Sequence, residues 1–170
     1  VTKAGLRANG ADVIDLGMGN PDLPTPPHIV EKLCETARKP DVHGYSASRG
    51  IPGLRKALAA YYDRRFGVKL DPMKETVVTL GSKEGFANLA QAITSPGDTI
   101  LVPNPSYPLH SFGFIMAGAA IRSVQAHSPE EYLSNLGRAV RHSVPPPTAM
   151  VVCYPVNPTA QVVELDFYKE

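Results

Sequence analysis

The chain has 170 residues, with 17 Lys and Arg against 16 Asp and Glu and a formal net charge of +1. A nucleic-acid-binding module or a polybasic membrane anchor needs concentrated positive charge, so this balance argues against both. The hydrophobic share of 43% is sufficient for a buried core and argues against a disordered chain. The length fits one ordinary domain, and the 17 prolines indicate many sharp turns.

The cysteines and histidines give no sign of a disulfide framework or a metal site. Cys34 and Cys153 are too few for a disulfide-dense secreted scaffold, so we expect a reduced, cytoplasmic protein. The five histidines lack metal-ligand spacing. The longest mostly apolar run, residues 112–121, is shorter than the roughly 20 residues that span a bilayer. Because the chain starts at Val1 and stops just after a strand-and-turn signal, we expect both ends to be cuts.

The first part of the chain predicts loops followed by two helices. Residues 1–25 are rich in loop signals, with a short strand expected over residues 13–16. Two prolines and then apolar residues at helical spacing predict an amphipathic helix over residues 26–38. A second helix is expected to start near Pro52 and to end at Gly67.

From residue 76 onward, short apolar runs alternate with segments of helical periodicity. Each run is short enough for a strand that is buried on both faces of a parallel sheet. The order β-α-β-α-β-α-β predicts a three-layer α/β/α fold with a mostly parallel sheet. The expected strands are residues 76–80, 99–102, 121–124 and 149–154, and the expected helices are residues 83–94, 107–118 and 129–142.

Three turns at the ends of predicted strands are the candidate ligand-binding segments. In open α/β sheets, ligands bind outside the carboxyl ends of the strands, so polar and aromatic residues there are the first to consider. The three turns are Gly81-Ser82-Lys83, Asn104-Pro105-Ser106-Tyr107 and Asn157-Pro158-Thr159.

The turn from Gly81 to Gly85 joins a predicted strand to the next helix. Free N–H groups and the positive dipole end of the helix, together with the Ser82 hydroxyl, would form a phosphate cradle. The spacing matches neither a P-loop nor a dinucleotide fingerprint. The alternative is an ordinary tight turn with Ser82 as N-cap. Lys83 could be a Schiff-base nucleophile, but a solvated lysine of the first helical turn is the preferred interpretation.

Two further side chains at these strand ends suit a flat ligand. Tyr107 lies between two prolines and can stack on an aromatic ring; the alternative is that it packs on its own helix. The Asn157 amide can donate to an oxyanion while Pro158 fixes its backbone. The alternative for Asn157 is a plain turn that terminates a strand.

Taken in order, these motifs resemble those of the pyridoxal-phosphate-dependent aminotransferases of fold type I, class I/II. The resemblance extends over nearly the whole chain and is nearest to the bacterial subgroup of alanine and LL-diaminopimelate-type aminotransferases. The segments that carry it are residues 14–22 (IDLGMGNPD), 45–55 (YSASRGIPGLR), 81–84 (GSKE), 104–108 (NPSYP) and 157–159 (NPT).

The resemblance implies a pyridoxal 5'-phosphate (PLP) cofactor and a role for each matched residue. Gly81, Ser82 and Lys83 would hold the cofactor phosphate, largely through backbone N–H groups. Tyr107 would stack on the pyridine ring, and Asn157 would form a hydrogen bond with the 3-oxygen of that ring.

The resemblance also implies substrate and subunit contacts. Gly19 would line the pocket for the substrate carboxylate. Tyr45 would reach the phosphate bound by the neighbouring subunit, so a homodimer with shared sites is expected. The partners are then an amino acid and a 2-oxo acid, without nucleic acid or membrane.

The family's Schiff-base lysine lies downstream of the Asn-Pro turn, so no catalytic residue is matched before Glu170. The resemblance therefore implies an N-terminal portion that is inactive alone. Residues 1–40 would belong with the small domain or the entry to the substrate site, and residues 41–170 would be an incomplete PLP-binding large domain. Ala160 stands where many members have Gly.

The function implied is transfer of an amino group, with alanine as the first expected donor and 2-oxoglutarate as acceptor. One alternative is a regulatory or binding domain that has kept the fold without the chemistry. Another is a fold-type-I lyase or decarboxylase. The weakest is a nucleotide-binding α/β enzyme, because the sequence lacks a second glycine-rich turn and a Walker-type lysine.

Overall fold

The protein is described from a computed structural model, in which residues 2–17, 19 and 21–170 are placed. The chain separates into two compact units, residues 1–46 and 47–170. Within the described residues, no helix has both the length and the apolar character needed to cross a membrane.

The first unit contains two helices, α1 (Lys3–Ala8) and α2 (Pro27–Ala37). The prediction of helix α2 is confirmed. The expectation of loops throughout residues 1–25 is wrong for α1, whose N-terminus is capped by the Thr2 side chain. The strand expected over residues 13–16 is absent. A strand needs a neighbour for its N–H and C=O groups, and no described residue pairs with this segment. None of the described side chains in this unit is buried.

The second unit opens with helix α3 (Pro52–Phe66), as predicted. Gly67 ends α3 in the left-handed region at φ +68°, and its N–H donates to the Asp63 carbonyl oxygen at 2.9 Å. This is the usual glycine C-cap of a helix. Arg55 on α3 is buried and donates to two backbone carbonyl oxygens, those of Thr76 at 3.1 Å and Met73 at 2.6 Å.

A three-stranded parallel sheet forms the centre of this unit. Its strands are β1 (Thr99–Asn104), β2 (Ala120–Gln125) and β3 (Pro147–Met150), in the order β2-β1-β3. The prediction of a parallel sheet is confirmed. The last strand begins earlier than expected and ends at Met150, although the Val151 N–H still donates to the Leu101 carbonyl oxygen at 2.9 Å.

Helices cover both faces of the sheet. Along β1, Ile100 and Val102 face one cluster with residues of α4 (Ser82–Ile93) and α5 (Pro108–Met116). The intervening Leu101 faces a second cluster, which contains residues of α6 (Pro129–His142). This alternation follows from the two-residue period of a strand. The α/β fold with helices on both faces of a mostly parallel sheet is therefore confirmed, and a short 3₁₀ helix (Leu165–Lys169) completes the chain.

The strand predicted over residues 76–80 is wrong for this structure. The segment carries a β-branched run, but it forms no strand and no described residue pairs with it in a ladder. Val77 and Leu80 are 60% and 93% exposed. Its local preference for extended structure is not enough, because a strand is stabilised by its cross-strand neighbours.

Candidate functional site

Two side-chain hydrogen bonds hold the turn before α4, and neither of them uses the first N–H groups of the helix. The Glu84 carboxylate accepts from the Leu80 N–H at 2.6 Å, and the Thr79 hydroxyl donates to the Gly81 carbonyl oxygen at 3.0 Å. Gly81 is the N-cap at φ +84°, a conformation that favours glycine. No side chain caps the first N–H groups of α4. This open helix start is suited to an anion.

Lys83 links this turn to the end of β1. Its ammonium nitrogen lies 5.7 Å from the centroid of the Tyr107 ring. Hydrogen bonding to Tyr107, and then the charge interaction with it, raise the pKa of Lys83. A raised pKa keeps the Lys83 side chain protonated, and a cation at this position suits an anion at the start of α4. The structure thus brings Gly81, Ser82, Lys83 and Tyr107 together.

Tyr107 lies at the N-cap of α5, directly after β1, and is half-buried. Its ring packs edge to face with the ring of His110, with centroids 5.9 Å apart. His110 in turn lies 5.3 Å from the ring of Phe86 on α4. Burial lowers the pKa of His110, so the imidazole is neutral near pH 7. The aromatic ring at this strand end is therefore supported by both neighbouring helices.

The turn that contains Asn157 follows the chain leading out of β3. Its backbone is closed by two hydrogen bonds, from the Val156 N–H to the Gln161 carbonyl oxygen at 2.9 Å and from the Ala160 N–H to the Val156 carbonyl oxygen at 2.7 Å. The Gln161 side chain donates to the His127 carbonyl oxygen at 2.7 Å. The Asn157 side chain is exposed, and no hydrogen bond joins it to Lys83 or Tyr107 among the described residues.

A buried tyrosine anchors the segment before that turn. Tyr132 on α6 is 1% exposed, and its hydroxyl donates to the Val151 carbonyl oxygen at 2.7 Å. Burial raises the pKa of Tyr132 to about 12. The hydroxyl therefore stays protonated and keeps donating to Val151.

Gly19 and Tyr45, the remaining predicted site residues, belong to the first unit. Gly19 is exposed, and a Cβ atom placed on it would meet no atom within 4 Å. Tyr45 is fully exposed. Met18 and Asn20, which flank Gly19 in the matched segment, lie outside the described residues.

Sequence reasoning missed two features, the Ser106–His110 contact beside Tyr107 and the close packing at Gly50. His110 was considered only as a metal ligand, although Ser106 precedes it by four residues and their side-chain atoms lie 2.8 Å apart. Gly50 was matched without a reason; its φ is +85°, and a Cβ atom there would lie 2.2 Å from the Val78 side chain. The four-residue spacing at the start of a helix could have indicated the first feature, whereas the second depends on tertiary packing. Within the described residues, no cluster of His, Cys, Asp and Glu is arranged to hold a metal ion.

The comparisons with known proteins agree on a family. The family model described as Aminotransferase class I and II matches residues 11–170. The chain belongs to the class I and II aminotransferase family. It is 65% identical to a Rhizobium meliloti protein named as the aminotransferase AatC and 53% identical to the glutamate-pyruvate aminotransferase AlaC of Escherichia coli, in both cases over 99% of the chain.

The fold of the family is shown by solved structures. The substrate-bound structure of BacF from Bacillus subtilis aligns with a TM-score of 0.84 at 40% identity, over 95% of this chain and 41% of BacF. The curated relatives are covered to a similar extent, 42% of AatC and 41% of AlaC. This chain therefore spans about two fifths of the length of the aminotransferases it matches.

Proposed function

We propose that the full-length protein is a PLP-dependent aminotransferase that moves an amino group between an amino acid and a 2-oxo acid. The observation that carries the proposal is the family match over residues 11–170. The geometry supports it, because the open start of α4 and the aromatic ring that follows β1 lie side by side. Both are expected of a site for a phosphorylated aromatic cofactor.

The residues present fit the cofactor. The phosphate would lie at the start of α4, where uncapped N–H groups, the Ser82 hydroxyl and the Lys83 ammonium all favour a dianion. The pyridine ring would stack on Tyr107, and the exposed Asn157 amide is free to donate to the 3-oxygen of that ring. When bound, PLP supplies an electron sink for the substrate's α-carbon, and the protein supplies orientation and electrostatics.

The remaining parts of the proposal concern residues beyond this site. The lysine that binds the cofactor covalently is expected after Glu170, so residues 1–170 alone are expected to be inactive. Residues 1–40 would belong with the small domain or substrate entry, and residues 41–170 with the PLP-binding domain. Gly19 would line the pocket for the substrate carboxylate. Tyr45 would contact the phosphate of a partner subunit in a cytoplasmic homodimer, and its full exposure leaves it free for such a contact.

The substrates proposed first are alanine and 2-oxoglutarate. Their support is the 53% identity to AlaC, which is named as a glutamate-pyruvate aminotransferase. Transfer from alanine to 2-oxoglutarate yields pyruvate and glutamate, so that name describes the reverse of the same reaction. With PLP bound, the full-length protein should turn over alanine to pyruvate continuously only when 2-oxoglutarate is present, because without an acceptor the amino group stays on the cofactor and no more than one pyruvate per bound cofactor is expected. A protein that binds PLP but forms no pyruvate would contradict this substrate pair and would favour another amino donor or another fold-type-I reaction.

Paired variants test the stacking role of Tyr107 in the full-length protein. Tyr107→Phe keeps an aromatic face, whereas Tyr107→Ala removes it. Stacking contributes about 0.5–1.5 kcal/mol, so Tyr107→Ala should weaken PLP binding about twofold to tenfold relative to Tyr107→Phe. Ser134→Ala, on the exposed face of α6, is the control and should bind PLP like wild type. Equal dissociation constants for the two Tyr107 variants would exclude stacking.

A further inference from the structure

A side-chain contact joins Ser106, which precedes Tyr107, to His110, three residues after it. Ser106 Oγ and His110 Nδ1 lie 2.8 Å apart, which is a normal hydrogen-bond distance. The link spans the first turn of α5, where the His110 N–H also donates to the Tyr107 carbonyl oxygen at 2.9 Å. The backbone that carries the Tyr107 ring is therefore closed by one side-chain and one main-chain hydrogen bond.

His110 is itself held by the core. Its ring packs against Phe86, and Phe86 meets the buried ring of Phe114 edge to face at 5.7 Å. Gly113 allows this approach of α4 and α5, since a Cβ atom there would lie 3.3 Å from Phe86. The His110 ring thus has a fixed support on one side and the Tyr107 ring on the other.

We propose that His110 is a positioning residue that, through its hydrogen bond with Ser106, sets the orientation of the Tyr107 ring toward the cofactor. The inference rests on the proposed function, because it needs a cofactor ring stacked on Tyr107. His110 acts through Tyr107 and is not itself assigned a contact with the cofactor or the substrate. Edge-to-face packing depends on ring orientation, so a change at His110 is transmitted to the stacking surface.

Two substitutions separate the hydrogen bond from the packing. His110→Phe keeps a ring against Phe86 and Tyr107 but has no polar atom for Ser106. His110→Asn loses the ring but places a polar atom close to the position of Nδ1. Ser106→Ala removes the other partner, and Ser106→Thr restores a hydroxyl. Ser134→Ala, exposed on α6, controls for the loss of a hydroxyl elsewhere in the chain.

The experiment uses the full-length protein titrated with PLP, with the circular dichroism of the bound cofactor as a readout of ring orientation. We expect His110→Phe and Ser106→Ala to weaken PLP binding at least threefold and to change the cofactor's dichroic band. His110→Asn and Ser106→Thr should restore both toward wild type. Thermal unfolding of each variant without PLP identifies any that fail to fold, and the asparagine and threonine variants then carry the comparison.

Two results would overturn the inference. One is a His110→Phe variant with wild-type PLP affinity and a wild-type band. The other is a His110→Asn variant that behaves no better than His110→Phe, since packing alone would then explain the effect. A wild-type protein that binds no PLP would instead remove the proposed function, so the two failures are distinguishable.

Discussion

The two units of the chain differ in what they bury. Residues 47–170 contain a sheet whose central Ile100 and Leu101 are fully buried, whereas none of the described residues in the first unit is buried. Helix α2 has an apolar face, as α4 and α6 do, yet Ile29 and Leu33 on it are 51% and 68% exposed. Helix formation thus follows from local sequence, but stabilisation by burial needs a partner surface.

The largest expected effect is at the centre of the sheet. Ile100→Ala should lower the free energy of unfolding by about 2–5 kcal/mol, because it removes buried methyl groups and leaves a cavity. Leu33→Ala on α2 should cost less than about 1 kcal/mol, since this side chain is mostly exposed. Urea denaturation of the 170-residue chain measures both. Equal losses would show that α2 is buried and would remove the contrast between the units.

A substitution at Gly50 tests whether close packing before α3 contributes as much to the free energy of unfolding as burial in the sheet does. Gly50→Ala should cost about 2–4 kcal/mol, from the overlap with Val78 and the left-handed backbone at φ +85°. Gly53→Ala is the matched control, because a Cβ atom there meets nothing within 4 Å. Thermal and urea unfolding of the two variants should differ clearly. Similar stabilities would mean that Val78 moves aside and that the backbone relaxes.

Tyr132 tests the tether between α6 and the segment after β3. Tyr132→Phe should lower the free energy of unfolding by about 1–3 kcal/mol, because the buried Val151 carbonyl oxygen loses its donor. Tyr168→Phe is the control, since Tyr168 is 55% exposed. Hydrogen exchange should also rise locally around Val151. A Tyr132→Phe variant as stable as the control would show that the hydrogen bond contributes nothing net.

His110 predicts a pH dependence in the second unit. Burial lowers its folded-state pKa below 6.5, so the unfolded chain binds the proton more readily. The stability contributed by neutral His110 is present above pH 6.5 and is lost as pH falls through the lowered folded-state pKa. The titratable group packed on its ring is Tyr107, with Lys83 beyond it on α4. His110→Phe should remove this part of the acid sensitivity in unfolding measured from pH 7 to pH 5; an unchanged profile would contradict it.

The smallest expected effect is at Ala160. It adopts φ +58°, a left-handed conformation that costs an L-residue about 1–2 kcal/mol. Glycine would remove this strain, but it also loses more conformational entropy on folding, so the net gain is smaller than the strain. Ala160→Gly should therefore stabilise the protein by about 0.5 kcal/mol, whereas Ala57→Gly on the exposed face of α3 should destabilise it. Differential scanning calorimetry resolves the sign. A loss of stability at Ala160 would show that its backbone is relaxed.

The same contrast explains what the sequence could predict. Helices α2 to α6 were placed within about two residues, because periodicity, prolines and glycine caps are local signals. The segments at residues 13–16 and 76–80 carry strand-like residues but form no strand, because pairing depends on residues distant in the chain. The nearness of Lys83 to Tyr107 agrees with the prediction that both lie at one edge of the sheet, although the strand expected before Lys83 does not form. Ser106 and His110 have the four-residue spacing that brings side chains together in the first turn of a helix, but this spacing alone does not show that the two side chains meet.

The central claim is that the Gly81–Lys83 turn holds the phosphate of PLP and does not supply its covalent lysine. The most direct measurement is borohydride reduction of the PLP-loaded full-length protein, followed by peptide mapping of the labelled lysine. The account predicts one labelled lysine per chain, outside residues 1–170. A label on Lys83 would contradict the role assigned to this turn.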